Sequence, residues 1–402
     1  MANIRRMQNA SANAGAVDIS DTFTFTSGTL WGHGYNSHGQ LGQGNTTHSS
    51  SMVQIGSYSD WIAVDEQKYA WLGIRGDSTG GTLWGAGEAI VLGNGSATNK
   101  SSPTQIGASL GTWVKCSAGV SHGGGVTSEG NLYMWGLRSY GVLGDGASSG
   151  NVWNPVQIGA NGGWLNVFCG GQSTFAISAT GGLWAWGRNN GGQLGDGTTT
   201  DRSSPVQIGA DGDGWDYIST SSVIFSKGCT LGRRKNSGDA YGTLWGWGYG
   251  SGGAIGSGGN RSSPSQIGSN SNWTQSFSVS NGGGAPSSQG CIGGSLYSWG
   301  ANGGLWGDGT SGSASGTPTQ IGSRTDWTQA HGVSGYNISG AISGGRLFRW
   351  GYNYGGRLPN ASGTTFPSGW SSSPVQVGSN ANWTRFHSGY NGGVGILTSG
   401  VA

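Results

Sequence analysis

Six histidines, four cysteines and the Gly-Asp-Gly triplets at 144–146, 195–197 and 307–309 are the residues here that could hold a metal or carry a reaction. His33, His38 and His48 lie close in sequence, while His122, His331 and His387 stand apart. None has the spacing of H-E-x-x-H or another metal motif; the first three read as turn histidines. Cys116, Cys169, Cys229 and Cys291 are widely spread with no C-x-x-C. Four cysteines in so long a chain predict small buried or half-buried thiols, with a zinc site the remote alternative. The Gly-Asp-Gly triplets lack the further oxygen ligands of a calcium loop and read as turns. No G-x-S-x-G lies on a strand-to-helix junction, and no glycine run precedes a helix N-terminus that would cradle phosphate. No catalytic, cofactor or metal site is therefore expected, and the chain reads as a non-enzyme.

What remains is recognition. Arg233-Arg234-Lys235 falls in a long stretch, 227–236, and Phe366 and Trp370 fall in another, 358–370. Both interrupt an otherwise regular pattern, and insertions in repeat proteins map to loops, often on a binding face. The basic run reads as a solvated loop or as a contact for phosphate or an acidic partner. Phe366 and Trp370 read as loop-packing aromatics or as contact anchors. Arg5 and Arg6 lie in residues 1–20, a small, polar stretch without period, expected to be an extended arm.

The elements that must position these residues are repeats. Leu-aromatic-x-aromatic-Gly starts at Leu30, Leu83, Leu132, Leu183, Leu244, Leu296 and Leu347. The first two copies lack the second aromatic. Each copy is followed by Gln-Ile-Gly (Gln-Val-Gly in the last) and then by a lone tryptophan: Trp61, Trp113, Trp164, Trp215, Trp273, Trp327 or Trp383. A period near fifty residues points to a propeller, solenoid or array. Sixteen of the 20 tryptophans sit on repeat positions. Besides the seven lone ones, these are Trp31, Trp84, Trp184 and Trp245 at the first aromatic and Trp135, Trp186, Trp247, Trp299 and Trp350 at the second. Only Trp71, Trp153, Trp306 and Trp370 are left for ligand stacking.

In Leu183-Trp184-Ala185-Trp186-Gly187 successive side chains face opposite ways, and both faces are apolar. A half-solvated sheet would alternate apolar with polar; a short strand sandwiched between neighbouring sheets would not. With Leu183–Gly187, Val206–Ile208, Trp215–Ser219 and Val223–Ser226 as strands, each unit carries four. The expectation is an all-β, seven-bladed propeller over 21–402, with helix almost absent. Pro103, Pro155, Pro205, Pro264, Pro318 and Pro374 are expected where the second strand begins, since proline lacks a ladder donor. Thr22–Thr26 reads as one more strand, so closing the ring should bring the chain ends together, which removes exposed edges.

Composition agrees. Gly is 86 of 402 and charged residues are 9%, but 20 Trp, 13 Tyr and 9 Phe argue against disorder. A net charge of +2 gives no global field for nucleic acid or anionic membrane. No apolar run approaches a transmembrane helix, and the N-terminus lacks the apolar core of a secretory signal.

Leu183 to Gly197, reading LWAWGRNNGGQLGDG, resembles the repeat of the RCC1-like family; Leu30 to Gly44 shows the same turn, and Tyr140 to Gly146 a weaker copy. The resemblance covers nearly everything after residue 25 and implies a seven-bladed β-propeller. Family members include a chromatin-bound exchange factor for a small GTPase, a plant photoreceptor and secreted β-lactamase inhibitors. In its Gly/Ser/Thr/Asn-rich, charge-poor flavour the chain is similar to RCC1-like proteins encoded by tailed phages. That resemblance implies a virion component, on the capsid or in the tail, docked to other virion subunits through the N-terminal arm. A receptor- or glycan-recognition module, and a cellular regulator of a GTPase or chromatin, are the alternatives.

Overall fold

The computed structural model describes residues 27–159, 162–221, 228–236, 239–279, 286–332, 338–353, 369–388 and 392–398. Among them the fold is all-β. One representative sheet runs Trp164–Cys169, Ser173–Ser178, Leu183–Gly187 and Arg202–Ile208, each strand antiparallel to the next. The Trp-led strand is one edge and the strand ending in Gln-Ile is the other. The same meander recurs in the sheets 215–266, 273–320 and 327–376.

The repeat counted from its Leu motif therefore spans two sheets, with a half-unit offset between the sequence period and the structural one. Ring closure follows from it. Trp383–His387 and Gly392–Leu397 from the C-terminal end complete their sheet with Thr29–Gly34 and Ser49–Gln54 from the N-terminal end. The segment Thr22–Thr26 and residues 1–20 lie outside the described residues, as does Val223–Ser226. The strand in this last position is Cys229–Arg234.

Seven separate blades are not what the sheets show. Five sheets have four strands, and one has eight, spanning Trp61 to Gln157. The merger has a local cause. Gly80–Gly87 is eight residues long, longer than Leu183–Gly187, and its Gly81 bridges to Trp113 of the next Trp-led strand. The Trp-led strands nevertheless form an unbroken cycle. Those starting at Trp61, Trp113, Trp164, Trp215, Trp273, Trp327 and Trp383 each pack on the next, and the last packs on the first. They line the axis of the ring.

The prolines also sit elsewhere than expected. Pro103, Pro155 and Pro205 lie inside the strands Lys100–Ile106, Asn151–Gln157 and Arg202–Ile208. There the pairing with the neighbouring strand slips, as between Val152 and Val156. A missing N–H is tolerated at a bulge on an edge strand. Among the described residues helix is confined to Ala89–Leu92 and two short 3-10 turns.

Tryptophan joins each sheet to the one before it. The indole Nε1–H of Trp135 donates to Val91 O at 2.6 Å, Trp186 to Val142 O at 2.8 Å, and Trp247 to Gln193 O at 2.8 Å. Trp299 and Trp350 do the same to Ala254 O and Leu305 O. Each acceptor precedes the Leu-Gly, or its variant, in the turn of the previous sheet. A hydroxyl often takes the carbonyl's other lone pair: Thr174 on Val142 O, Thr230 on Gln193 O. The indole lies flat on the turn, which demands glycine. A Cβ at Gly195, whose φ is +82°, would stand 2.8 Å from Trp247 Nε1.

In one of the two sheets where the second aromatic is missing, another residue supplies the contact. Ala86 replaces it there, and Trp71, directly across the ladder, donates to Gln40 O at 2.8 Å. Trp71 is fully buried, so it is no stacking platform; Trp306 is buried too. In the closure sheet His33 holds the position. It is a buried strand residue, not a turn histidine, stacked on Phe386 and hydrogen-bonded to the buried Arg349. Burial and the Arg349 guanidinium hold its pKa well below 6.5.

Candidate binding surfaces

In a chain this poor in charge, the charged side chains are unevenly placed. Several gather on or beside the Trp-led strands. Asp65 Oδ2 accepts from Ser117 Oγ at 2.8 Å and from Ala118 N at 3.0 Å, while Oδ1 lies 3.1 Å from His387 Nδ1. Ser117 Oγ in turn accepts from Cys169 N at 2.9 Å. One carboxylate thus ties together the strands starting at Trp383, Trp61 and Trp113, and through Ser117 the strand starting at Trp164.

The titrations follow from this setting. Withdrawal from bulk water, and then the nearby Arg385, lower Lys115 to about 8. Burial brings Arg385 down to about 10. Burial and then the field of Asp65 raise the Cys116 and Cys169 thiols and the Tyr217 phenol. Asp65 and His387 stay half-buried, with side chains 21% and 27% exposed. The axis therefore carries a mixed-charge array in which Asp65 and His387 keep partial access to solvent.

The second surface is a pocket of about 550 Å³ at the loop between Cys229–Arg234 and Thr243–Gly248, lined in part by Asp213, Arg234, Asn236, Asp239, Tyr241 and Trp245. Its geometry corrects the solvated-loop reading of Arg233-Arg234-Lys235. Arg233 and Arg234 close the strand rather than a loop. The Arg233 guanidinium pairs with Asp216, at 3.1 Å from Nε and 2.6 Å from Nη2, and also donates to the carbonyl of Thr274. Lys235 Nζ turns inward to 3.8 Å from the same carboxylate. Arg234 lies over the rings of Trp215 (5.1 Å) and Trp245 (4.9 Å) and pairs with Asp213 at 2.6 Å. All three basic residues are thus held by acidic partners.

Of the other expected contacts, Trp370 lies in the strand Gly369–Gln376, opposite Tyr352. Arg5, Arg6 and Phe366 lie outside the described residues. Cys169, Cys229 and Cys291 are buried, Cys116 is half-buried, and none of the four forms a disulfide. Asp196, from one Gly-Asp-Gly triplet, accepts from Asn189, Thr198 and Arg202, which is turn chemistry. Among the described residues no group of three or more His, Cys, Asp or Glu could hold a metal. No helix among the described residues is long and apolar enough to cross a membrane. The sequence reading missed Asp65, Lys115, Arg385 and Tyr241. The first three were legible as charged residues a few positions after a lone tryptophan. Tyr241 carries no signal beyond the unusual length of its loop.

The model of the regulator of chromosome condensation (RCC1) repeat matches residues 129–177 and 180–220. Those two stretches are similar to RCC1 repeats. Over 169 residues it is 36% identical to the ultraviolet-B receptor UVR8 of Arabidopsis thaliana, covering 41% of this chain and 37% of the receptor. It is 30% identical over 192 residues to the human E3 ubiquitin-protein ligase HERC2, covering 45% of this chain and 4% of the ligase. The chain thus matches well under two thirds of either relative's length. Among solved structures, human WBSCR16 superposes with a TM-score of 0.76 at 17% identity, over 93% of this chain and 99% of that one. Prp20p of Saccharomyces cerevisiae, in a structure described with its binding to Gsp1p and histones, gives 0.73 at 17%, over 98% and 95%. These establish an RCC1-like propeller fold. None of these relatives is described as a virion protein, so the capsid or tail location implied by compositional flavour gains no support.

Proposed function

We propose that the chain is a non-enzymatic binding module, one propeller over 21–402 with residues 1–20 as an arm, that docks a protein partner on the axis of the ring. The observation that carries this reading is the concentration of Asp65, Lys115, Arg385 and His387 at the axis of a chain with only 9% charged residues. Burying part of a charge costs free energy unless something is gained, and the fold itself is held by tryptophan and glycine. A mixed-charge array gives orientation and specificity to an encounter more than bulk affinity. RCC1-like propellers are generally binding or regulatory proteins, and the partners named for Prp20p, Gsp1p and histones, make a protein ligand the natural class.

The test is a double charge reversal, Lys115→Glu with Arg385→Glu, in the full chain. The partner that co-purifies with the wild type should be lost, while Lys100→Glu, on the outer strand, should retain it. Retention by the double variant would refute axial docking.

A further inference from the structure

We propose that the pocket beside Tyr241 is a carbohydrate site for a neutral sugar residue, separate from the axial surface. Its size suits a small ligand, since such pockets run from about 300 to 1,000 Å³. Its chemistry decides the class. Every cation near it is matched: Arg234 by Asp213 at 2.6 Å, and Lys235, whose side chain is 2% exposed, is turned toward Asp216. Asp239 accepts from Asn236 Nδ2 at 3.0 Å. A phosphate or sulfate would find no free positive charge, and a cationic peptide would compete with arginine for Asp213. An apolar ligand would find a wall dominated by carboxylate, amide and hydroxyl groups.

What the wall does offer is flat faces and forked polar groups. Tyr241 is 46% exposed, in a fold that buries nearly all its large side chains. Asp213, Asp239, Asn236 and Asn272 line the same space. Planar forks of this kind can bond two neighbouring hydroxyls at once. A pyranose ring presents such hydroxyl pairs at its edge and an apolar C–H face to an aromatic ring. The floor is rigid: Arg234 is clamped over two indoles, and Trp245 Nε1 donates to Thr243 Oγ1 at 2.9 Å. Preorganisation of this kind lowers the entropic cost of binding a polar, flexible ligand.

The experiment is an array of neutral, sialylated and sulfated oligosaccharides probed with the full chain, followed by titration calorimetry on hits. Wild type should bind at least one neutral oligosaccharide. Tyr241→Ala and Asp239→Ala should each weaken it at least tenfold with unchanged thermal midpoints, and Tyr58→Ala, an exposed tyrosine lying on Arg75 of another sheet, should leave it intact. A blank array, binding only to sulfated or sialylated members, or affinity indifferent to both pocket variants would overturn the proposal. Because the axial charge reversal leaves this pocket untouched, partner capture and sugar binding fail independently.

Discussion

Arg75 and Arg234 occupy the same station in two sheets, and Arg234 borders a pocket. Each is near the end of a strand entering the Leu motif, lies over the lone tryptophan and the first aromatic, and pairs with an aspartate: Asp60 for Arg75, Asp213 for Arg234. They differ in what lies beneath and beyond. Under Arg75 the packing is apolar, Ile74 and Ile62 being fully or nearly buried. Under Arg234 the same two positions are Arg233 and Asp216. Beyond Arg75 the chain turns back through Ser78 and Thr79, and Tyr58 stacks on the guanidinium at 3.2 Å. Beyond Arg234 the connection is longer, and Asn236, Asp239 and Tyr241 line a pocket there. One repeat position thus serves as packing in one sheet and as the wall of a pocket in another, depending on loop length and on an ion pair exchanged for two isoleucines.

The ion pair gives the largest expected effect. Asp216→Ala leaves Arg233 buried without its carboxylate and should cost about 3–5 kcal/mol, read as a shift of the denaturation midpoint. Asp216→Ile with Arg233→Ile and Lys235→Gly, copying the other station, should restore most of that. If the single variant costs nothing, the two floors are energetically equivalent and the contrast fails. Trp247→Ala, which removes the indole bonded to Gln193 O, should also cost about 3–5 kcal/mol, and Trp71→Ala a similar amount. A much smaller loss at Trp71 would show that the substitute contact is incidental.

Next comes pH. Burial lowers His122 to about 4 in the folded chain, from 6.5, and lowers His33 as well. The unfolded state then binds more protons below pH 6.5, so stability falls as pH drops from 6.5 toward 4, by about 3 kcal/mol for His122. His122→Gln should flatten that slope in chemical denaturation at stepped pH; an unchanged slope would place the proton uptake elsewhere. The smallest effects belong to the exposed pairs. Asp60→Asn, at a carboxylate 47% exposed, should change stability by less than about 1 kcal/mol. Replacing residues 236–241 by a two-residue turn should likewise leave the midpoint within about 1 kcal/mol, while abolishing sugar binding.

Much of this fold is legible in the sequence, and the exceptions have physical causes. The apolar faces of Leu183–Gly187 announce a sandwiched strand, and the lone tryptophans mark the axial strands. The half-unit offset is invisible because a repeat has no intrinsic start. The merged eight-stranded sheet hangs on the extra length of Gly80–Gly87, because the same glycine-to-tryptophan bridge recurs at Gly28–Trp61 and Gly242–Trp273 without merging those sheets. Trp71 passes for a free aromatic because its role depends on Ala86 across the ladder, a pairing between strands rather than a motif. The binding surfaces are the least legible. Arg233-Arg234-Lys235 reads as an exposed basic run until Asp213 and Asp216, some twenty residues earlier, come into contact with it.

The sheet shared by both chain ends sets how the molecule would answer to a pull. Thr29 faces Leu397 and Gly34 faces Gly392 in an antiparallel ladder, so tension between the termini is applied at one end of the zipper. It loads the rungs one after another rather than all together. An optical-trap trace should therefore begin with a low-force opening of this seam, before any interior sheet gives way.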